Sequence, residues 1–172
     1  NVKDVVNNVP NLIGANNVGQ GTATTVFLRG VGTTESIVTV DTAMGFYLDD
    51  VYIARQGVNN FSLYDVERVE VLRGPQGTLY GRNTNAGAIN VVTTKPQGEN
   101  SSAGEFSYGE FDRVNVKGMA NVVLQEDKLF LRVNALSQTG DGHVDNALLG
   151  KEVNDVDFLG WRVGLRWLPT EN

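Results

Sequence analysis

Between Val66 and Pro96 the chain reads Val-Glu-Arg-Val-Glu-Val-Leu-Arg-Gly-Pro-Gln-Gly-Thr-Leu-Tyr-Gly and then, after a short polar stretch, Gly-Ala-Ile-Asn-Val-Val-Thr-Thr-Lys-Pro. No other stretch limits the fold so tightly. Side chains alternate along a strand, so Val69 and Val71 share one face, with Glu67 and Arg73 at its ends. Arg68, Glu70 and Leu72 take the other face. A strand carrying Arg68 beside Glu70 is not buried on both faces in apolar surroundings, because an unpaired buried charge costs too much. These two groups are expected to face water or a charged partner. The Gly74-Pro75 pair ends the strand in a tight turn, a short helical turn follows, and the Ile-Asn-Val-Val run forms a second strand.

Glu70-Val71-Leu72-Arg73-Gly74-Pro75, followed in order by Leu79-Tyr80-Gly81 and Gly87-Ala88-Ile89-Asn90, resembles the plug domain of TonB-dependent outer-membrane receptors. The resemblance implies an α+β plug domain, a small mixed sheet with short helices, over residues 1–97. Residues 98–172 would then be antiparallel β-strands, the first about four of an incomplete transmembrane β-barrel. Barrels need about eight strands to close, so the remainder is expected beyond Asn172.

The 172 residues allow one large domain or two small ones. Hydrophobic content of 41% and charged content of 20% are those of a folded chain. A net charge of -6 argues against a nucleic-acid partner, since phosphate binding wants a basic face. Without cysteine there is no disulfide framework, thiol nucleophile or thiolate metal site. No run of about 18 apolar residues marks a transmembrane helix, but a membrane barrel lacks such runs too, because its strands alternate. A chain opening on Asn1 with no visible signal peptide is expected to be a processed or trimmed product.

Taken from the start, Val2, Val5, Val6 and Val9 fall at i, i+3, i+4 and i+7, the stripe of a short amphipathic helix ended by Pro10. It is similar to the opening helix of the plug family, and the family's energy-coupling peptide would lie upstream of it. Residues 14–25, rich in Gly, Asn and Thr, are expected as loop, Thr25 to Gly30 as strand, and residues 31–43 as a second polar loop. Gly30-Val31-Gly32 lacks the third glycine and helix of a dinucleotide fingerprint. Met44 to Ile53 alternates as a strand broken at Asp49-Asp50, where the family usually has Asp-Gly; aspartate tolerates the left-handed turn. That pair is expected on a solvated edge rather than at a cation. Residues 58–65 read as a short helical or loop segment.

After Pro96 a polar, Gly/Ser-rich stretch marks the boundary, and alternating segments follow at about 103–110, 112–123, 128–139 and 157–168. The turns at Gly109-Glu110-Phe111-Asp112 and Gln125-Glu126-Asp127-Lys128 are short, and residues 140–156 make a long connection. Outer-membrane barrels pair short and long connections in this way. Trp161 and Trp167 read either as interface aromatics or as the core of a soluble sheet.

Catalytic signatures are missing. The single histidine, His143, sits in Gly140-Asp141-Gly142-His143 without a nucleophile nearby, and is expected to be a solvated loop residue. Asp141, Asp155 and Asp157 do not follow the spacing of a calcium loop. Asn60-Phe61-Ser62 and Asn100-Ser101-Ser102 match a glycosylation pattern short enough to arise by chance. No enzyme activity, cofactor or metal is expected. Among polar residues, the resemblance singles out Arg29, Glu70 and Arg73. In the family, arginines at such strand ends, with nearby acids, lock the plug to glutamates of the barrel wall, a task suited to the planar guanidinium. Arg29 and Arg73 are therefore expected to lack internal carboxylate partners.

The resemblance implies the gate and entry strands of an active importer in the bacterial outer membrane. The implied partners are a TonB-type energy-coupling protein, outer-membrane lipid and an imported substrate, most commonly an iron–siderophore chelate. The alternative is a soluble ligand-binding or adhesion domain whose β segments pack as a sandwich.

Overall fold

The structure, a computed structural model, describes residues 6, 8–17, 20–34, 39–55, 64–142, 144–146, 151–153 and 155–169. The chain forms two compact units, Asn1–Thr94 and Lys95–Asn172.

The first unit holds two sheets. In one, β1 (Leu12–Asn17) pairs antiparallel with β2 (Gln20–Leu28), which continues through an Arg29-Gly30 turn into β3 (Val31–Gly32). The loop expected over residues 14–25 is thus a hairpin, and the polar loop expected from residue 31 gives up its first two residues to β3. The reason lies in threonine: a Thr-rich run looks like loop by polarity, yet its β-branched side chains favour strands. Here Ala23, Thr24, Thr25 and Val26 are all buried. Of the opening apolar stripe, Val6 is helical and buried in the core and Val9 packs on it, whereas Val2 and Val5 lie outside the described residues.

The second sheet is mixed, as the resemblance implies. Its strands β4 (Met44–Leu48), β5 (Val51–Tyr52), β6 (Val66–Arg73) and β7 (Gly87–Thr93) lie in the order β5-β4-β7-β6, with β4 and β7 parallel and the other pairs antiparallel. One helical turn, α1 (Gly77–Tyr80), joins β6 to β7. Strand β7 is central and buried along its whole length. At its first residue, Gly87, a Cβ would lie 2.3 Å from the Leu72 carbonyl oxygen, so only glycine lets β6 and β7 approach there. Val69 and Val71 pack with Val26, Leu28, Met44, Phe46 and Ile89 in one core, which is the face the alternation assigns to them. Of the segment expected over residues 58–65, only Tyr64 and Asp65 are described.

The second unit is a four-stranded antiparallel sheet in the order β13-β10-β9-β8. Its members are β8 (Ser101–Gly109), β9 (Arg113–Gln125), β10 (Leu129–Gly140) and β13 (Val156–Trp167). All four follow the alternating segments within a few residues. The long connection after β10 is not simply loop, since β11 (Val144–Asn146) and β12 (Lys151–Val153) pair within it as a ribbon.

Register sorts the side chains of this sheet into two faces. One carries Leu131, Val133 and Ala135 of β10 beside Leu165, Val163 and Trp161 of β13 and Val122, Ala120 and Gly118 of β9. The other carries Arg132 and Asn134 beside Gly164 and Arg162 and beside Asn121 and Met119. Exposure is inverted with respect to a water-soluble sheet. Trp161 is 76% exposed and Leu165 64%, while Arg132 and Asn134 are each 4% exposed.

Candidate functional site

The candidate site is the polar face of the first unit's mixed sheet together with its two turn arginines. Arg29 occupies the first position of the β2–β3 turn, with φ of 51° followed by 81° at Gly30. Its N–H donates to the Asn11 carbonyl at 2.9 Å, which fixes the backbone and leaves the side chain exposed. Arg73 ends β6 and precedes Gly74, whose φ of 88° and N–H bond to the Ala86 carbonyl at 3.0 Å turn the chain sharply. Both arginines therefore project from turns that need a left-handed residue. Among the described residues, no ion pair joins either guanidinium to a carboxylate.

Glu70 behaves differently. It lies on the opposite face of β6 from Arg73 and is held at home: Arg68 donates Nε to it at 2.7 Å and Asn90 donates Nδ2 at 3.3 Å. Arg68 also grips Glu67 at 2.8 Å, where the register of β6 slips between Val66 and Arg68. The hydrogen bond from Arg68 and then that from Asn90 hold the Glu70 carboxyl below the usual glutamate range. The side-by-side pair that forbade two-sided burial is thus an ion pair at the sheet surface. Arg29, Glu70 and Arg73 are not gathered into one cluster.

The network continues across the sheet. Asn90, only 2% exposed at the centre of β7, also donates to Asp50 at 2.8 Å, and the Asp50 N–H approaches its Oδ1 at 3.4 Å. Asp49 accepts from the Thr93 N–H at 2.8 Å and from its hydroxyl at 2.7 Å. The Asp49-Asp50 turn forms as predicted, with φ of 48° and 65°. Both residues stay exposed, as the solvated edge requires, while their carboxylates also accept hydrogen bonds from β7. Beside them Tyr47 is buried, stacks edge-on against Tyr80 at 4.9 Å and donates its hydroxyl to the Tyr80 carbonyl at 2.6 Å, pinning α1 to the sheet. Burial, then the neighbouring Tyr52 and Tyr80, push its hydroxyl up from the ordinary tyrosine value.

Sequence reasoning missed Asn90 and the hydrogen bonds of the aspartates to β7, because their partners sit 40 and 44 positions away. An asparagine inside an apolar strand was the one available signal. Among the described residues no group of three or more His, Cys, Asp or Glu side chains is placed to hold a metal ion, and His143 lies outside them. The arrangement offers cations at turns and an internally satisfied polar sheet.

A small mixed sheet with projecting arginines, followed by strands that turn their apolar side outward, is the pattern of a plug and the start of a barrel wall. The family model for the TonB-dependent receptor plug domain matches residues 1–88, just over half of the sequence. The chain belongs to the TonB-dependent receptors, outer-membrane proteins of Gram-negative bacteria. It is 33% identical to the pesticin receptor of Yersinia pestis over 139 residues, covering 79% of this chain and 20% of that protein. It is 34% identical to the metal-pseudopaline receptor of Pseudomonas aeruginosa over 99 residues, 57% of this chain and 14% of that one. The crystal structure of the ferric yersiniabactin uptake receptor from Yersinia pestis superposes with a TM-score of 0.83 at 30% identity, covering 97% of this chain and 26% of that one. The chain thus spans about a quarter or less of the proteins it matches, and these are receptors rather than enzymes.

Proposed function

We propose that the chain is the gate and the entry strands of an active outer-membrane importer whose cargo is a metal chelate of the iron–siderophore type. The observation that carries this reading is the inverted sheet of the second unit. Exposed Phe106, Val116, Leu159, Val163 and Leu165 share a face with Trp161 and Trp167, and this face suits lipid acyl chains. From Leu159 to Trp167 the strand climbs about 27 Å at ~3.4 Å per residue, or ~21 Å once tilted by about 40°, close to the ~25 Å apolar band of outer-membrane barrels. A soluble sandwich would need a second sheet over that face. Among the described residues of Lys95–Asn172 there is only the one four-stranded sheet and a small ribbon.

In this reading residues 1–97 form the gate and 98–172 the wall, with residues 95–97 as the joint. Arg29 and Arg73 lock the gate to carboxylates of wall strands beyond this chain. A TonB-type protein pulls on a segment upstream of the gate, and the polar, hydrated lock separates without exposing a large apolar surface. Two of the relatives at 30% identity or above favour the chelate cargo by their names, the ferric yersiniabactin uptake receptor and the metal-pseudopaline receptor.

The test uses the complete receptor in outer membranes. Uptake of a radiolabelled ferric chelate that stops when the proton gradient is collapsed is the expected result, and uptake indifferent to the gradient would overturn active transport. Replacing Arg73 with alanine is expected to loosen gate seating and raise passive leak of small solutes. Unchanged permeability would remove Arg73 from the lock.

A further inference from the structure

Where the chain enters the wall sheet, the backbone of residues 95–100 runs over the polar face instead of straight into β8. Asn121 of β9 receives it. Its Oδ1 accepts from the Gln97 N–H at 2.9 Å, and its Nδ2 donates to the Gln97 carbonyl at 2.8 Å and the Glu99 carbonyl at 2.7 Å. Arg132 adds a fourth contact, Nη1 to the same Oδ1 at 3.4 Å. A primary amide has two donor hydrogens and two acceptor lone pairs, and here every one is used. Asn121 is 1% exposed, so water does not compete for these bonds. Around it, Arg166 Nη1 reaches the Pro96 carbonyl at 3.5 Å, and the Asn100 side chain accepts from the Val123 N–H at 2.7 Å. Pro96 is buried, and a Cβ on Gly164 would come to 3.4 Å of its ring.

The position of this clasp gives it a purpose. Ser101 is the first residue of β8 and pairs in register with Asn121 itself. A pull arriving from the gate end of the chain reaches β8 at Ser101, its first paired residue. We propose that Asn121 is a mechanical stop: it clasps the peptide groups of Gln97 and Glu99 so that a pull on the gate ends at the linker and does not peel β8 from the wall. Arg132 and Arg166 pass the load to β10 and β13, so that three strands bear it instead of one. The inference rests on the importer reading for the source of the pull, while the clasp itself stands on geometry within the second unit.

The experiment is force spectroscopy on the complete receptor in a lipid bilayer, pulled from its N-terminus. In the natural protein the extension is expected to stop before Ser101. In Asn121→Ala, peeling of Ser101–Gly109 is expected to lengthen the fitted contour of released chain by about 30 Å at ~3.4 Å per residue. Gln97→Pro removes the N–H that Asn121 accepts while leaving the wall strands untouched, and is expected to weaken the stop in the same direction. Amide exchange at Gln97 in the unpulled natural receptor is expected to be slowed at least tenfold relative to an unstructured linker. An identical end point in the natural protein and in Gln97→Pro, or free exchange at Gln97, overturns the clasp. A receptor that takes up no chelate yet stops before Ser101 overturns the importer reading and supports the clasp.

Discussion

At the scale of single residues, the polar sheet runs on a few obligatory choices. Glu70 is held below the ordinary glutamate range chiefly by Arg68. A depressed carboxyl contributes stability that is present above its unfolded value and is lost as pH falls through the folded one. Arg68→Ala is therefore expected to return the Glu70 titration toward the ordinary value and to flatten the acid side of the stability profile. Carbon-detected NMR titration of the Glu70 carboxyl measures this directly, and an unmoved titration would give Asn90 the larger share. Gly74 is a second such choice. It has open space around it but a φ of 88°, so Gly74→Ala should cost about 1–2 kcal/mol by backbone strain alone. Gly87→Ala should cost more, since its Cβ meets the Leu72 carbonyl at 2.3 Å. Chemical denaturation of the two variants ranks them, and a harmless Gly87→Ala would mean that β6 can shift away from β7.

At the scale of elements, Asn90 of β7 ties β6 to the β4–β5 turn while contributing nothing to the apolar core. Asn90→Ala leaves the Asp50 and Glu70 carboxylates without their shared donor and is expected to cost about 1–3 kcal/mol, read as a lowered denaturation midpoint. Tyr47→Phe, which keeps the stacking and drops one hydrogen bond, should cost about 0.5–1.5 kcal/mol and free α1 to exchange its amides faster. Strand β6 and the strands after Pro96 were legible in the sequence because a period of two needs no partner to be seen, and β7 because an apolar, β-branched run stands between turn residues. The β1–β2 hairpin was not, since Gly14, Asn16, Asn17 and the threonines carry the composition of a loop and become strand only by pairing. Arg29, Glu70 and Arg73 were visible as polar residues on or beside strands. That Glu70 would turn to Arg68 and Asn90 depended on a bulge and on a strand 20 positions away. Asn121 carried no local mark, as its partners are set by the path of the linker.

At the scale of the whole molecule, the two-faced wall sheet makes a sharp prediction. Val133 sits mid-sheet on the apolar face, opposite Val163 and Ala120. With the complete receptor folded into phospholipid vesicles, Val133→Arg is expected to cost about 2–4 kcal/mol and Thr139→Arg, near the rim of the same face, about 0–1 kcal/mol. Equal costs at the two depths would mean that no bilayer covers this face. The same alternation has a consequence for how such a chain reaches its destination. No helix among the described residues is long and apolar enough to cross a membrane, and along β13 each residue of the exposed apolar face is followed by a glycine or a charged one from Leu159 to Arg166. In the importer reading, the described strands offer a translocation channel no long apolar segment at which to halt. Its greasy surface comes into being only when strands pair and gather every second side chain on one side. In that reading the same strands pass through one membrane as a polar thread and settle in the next as a wall.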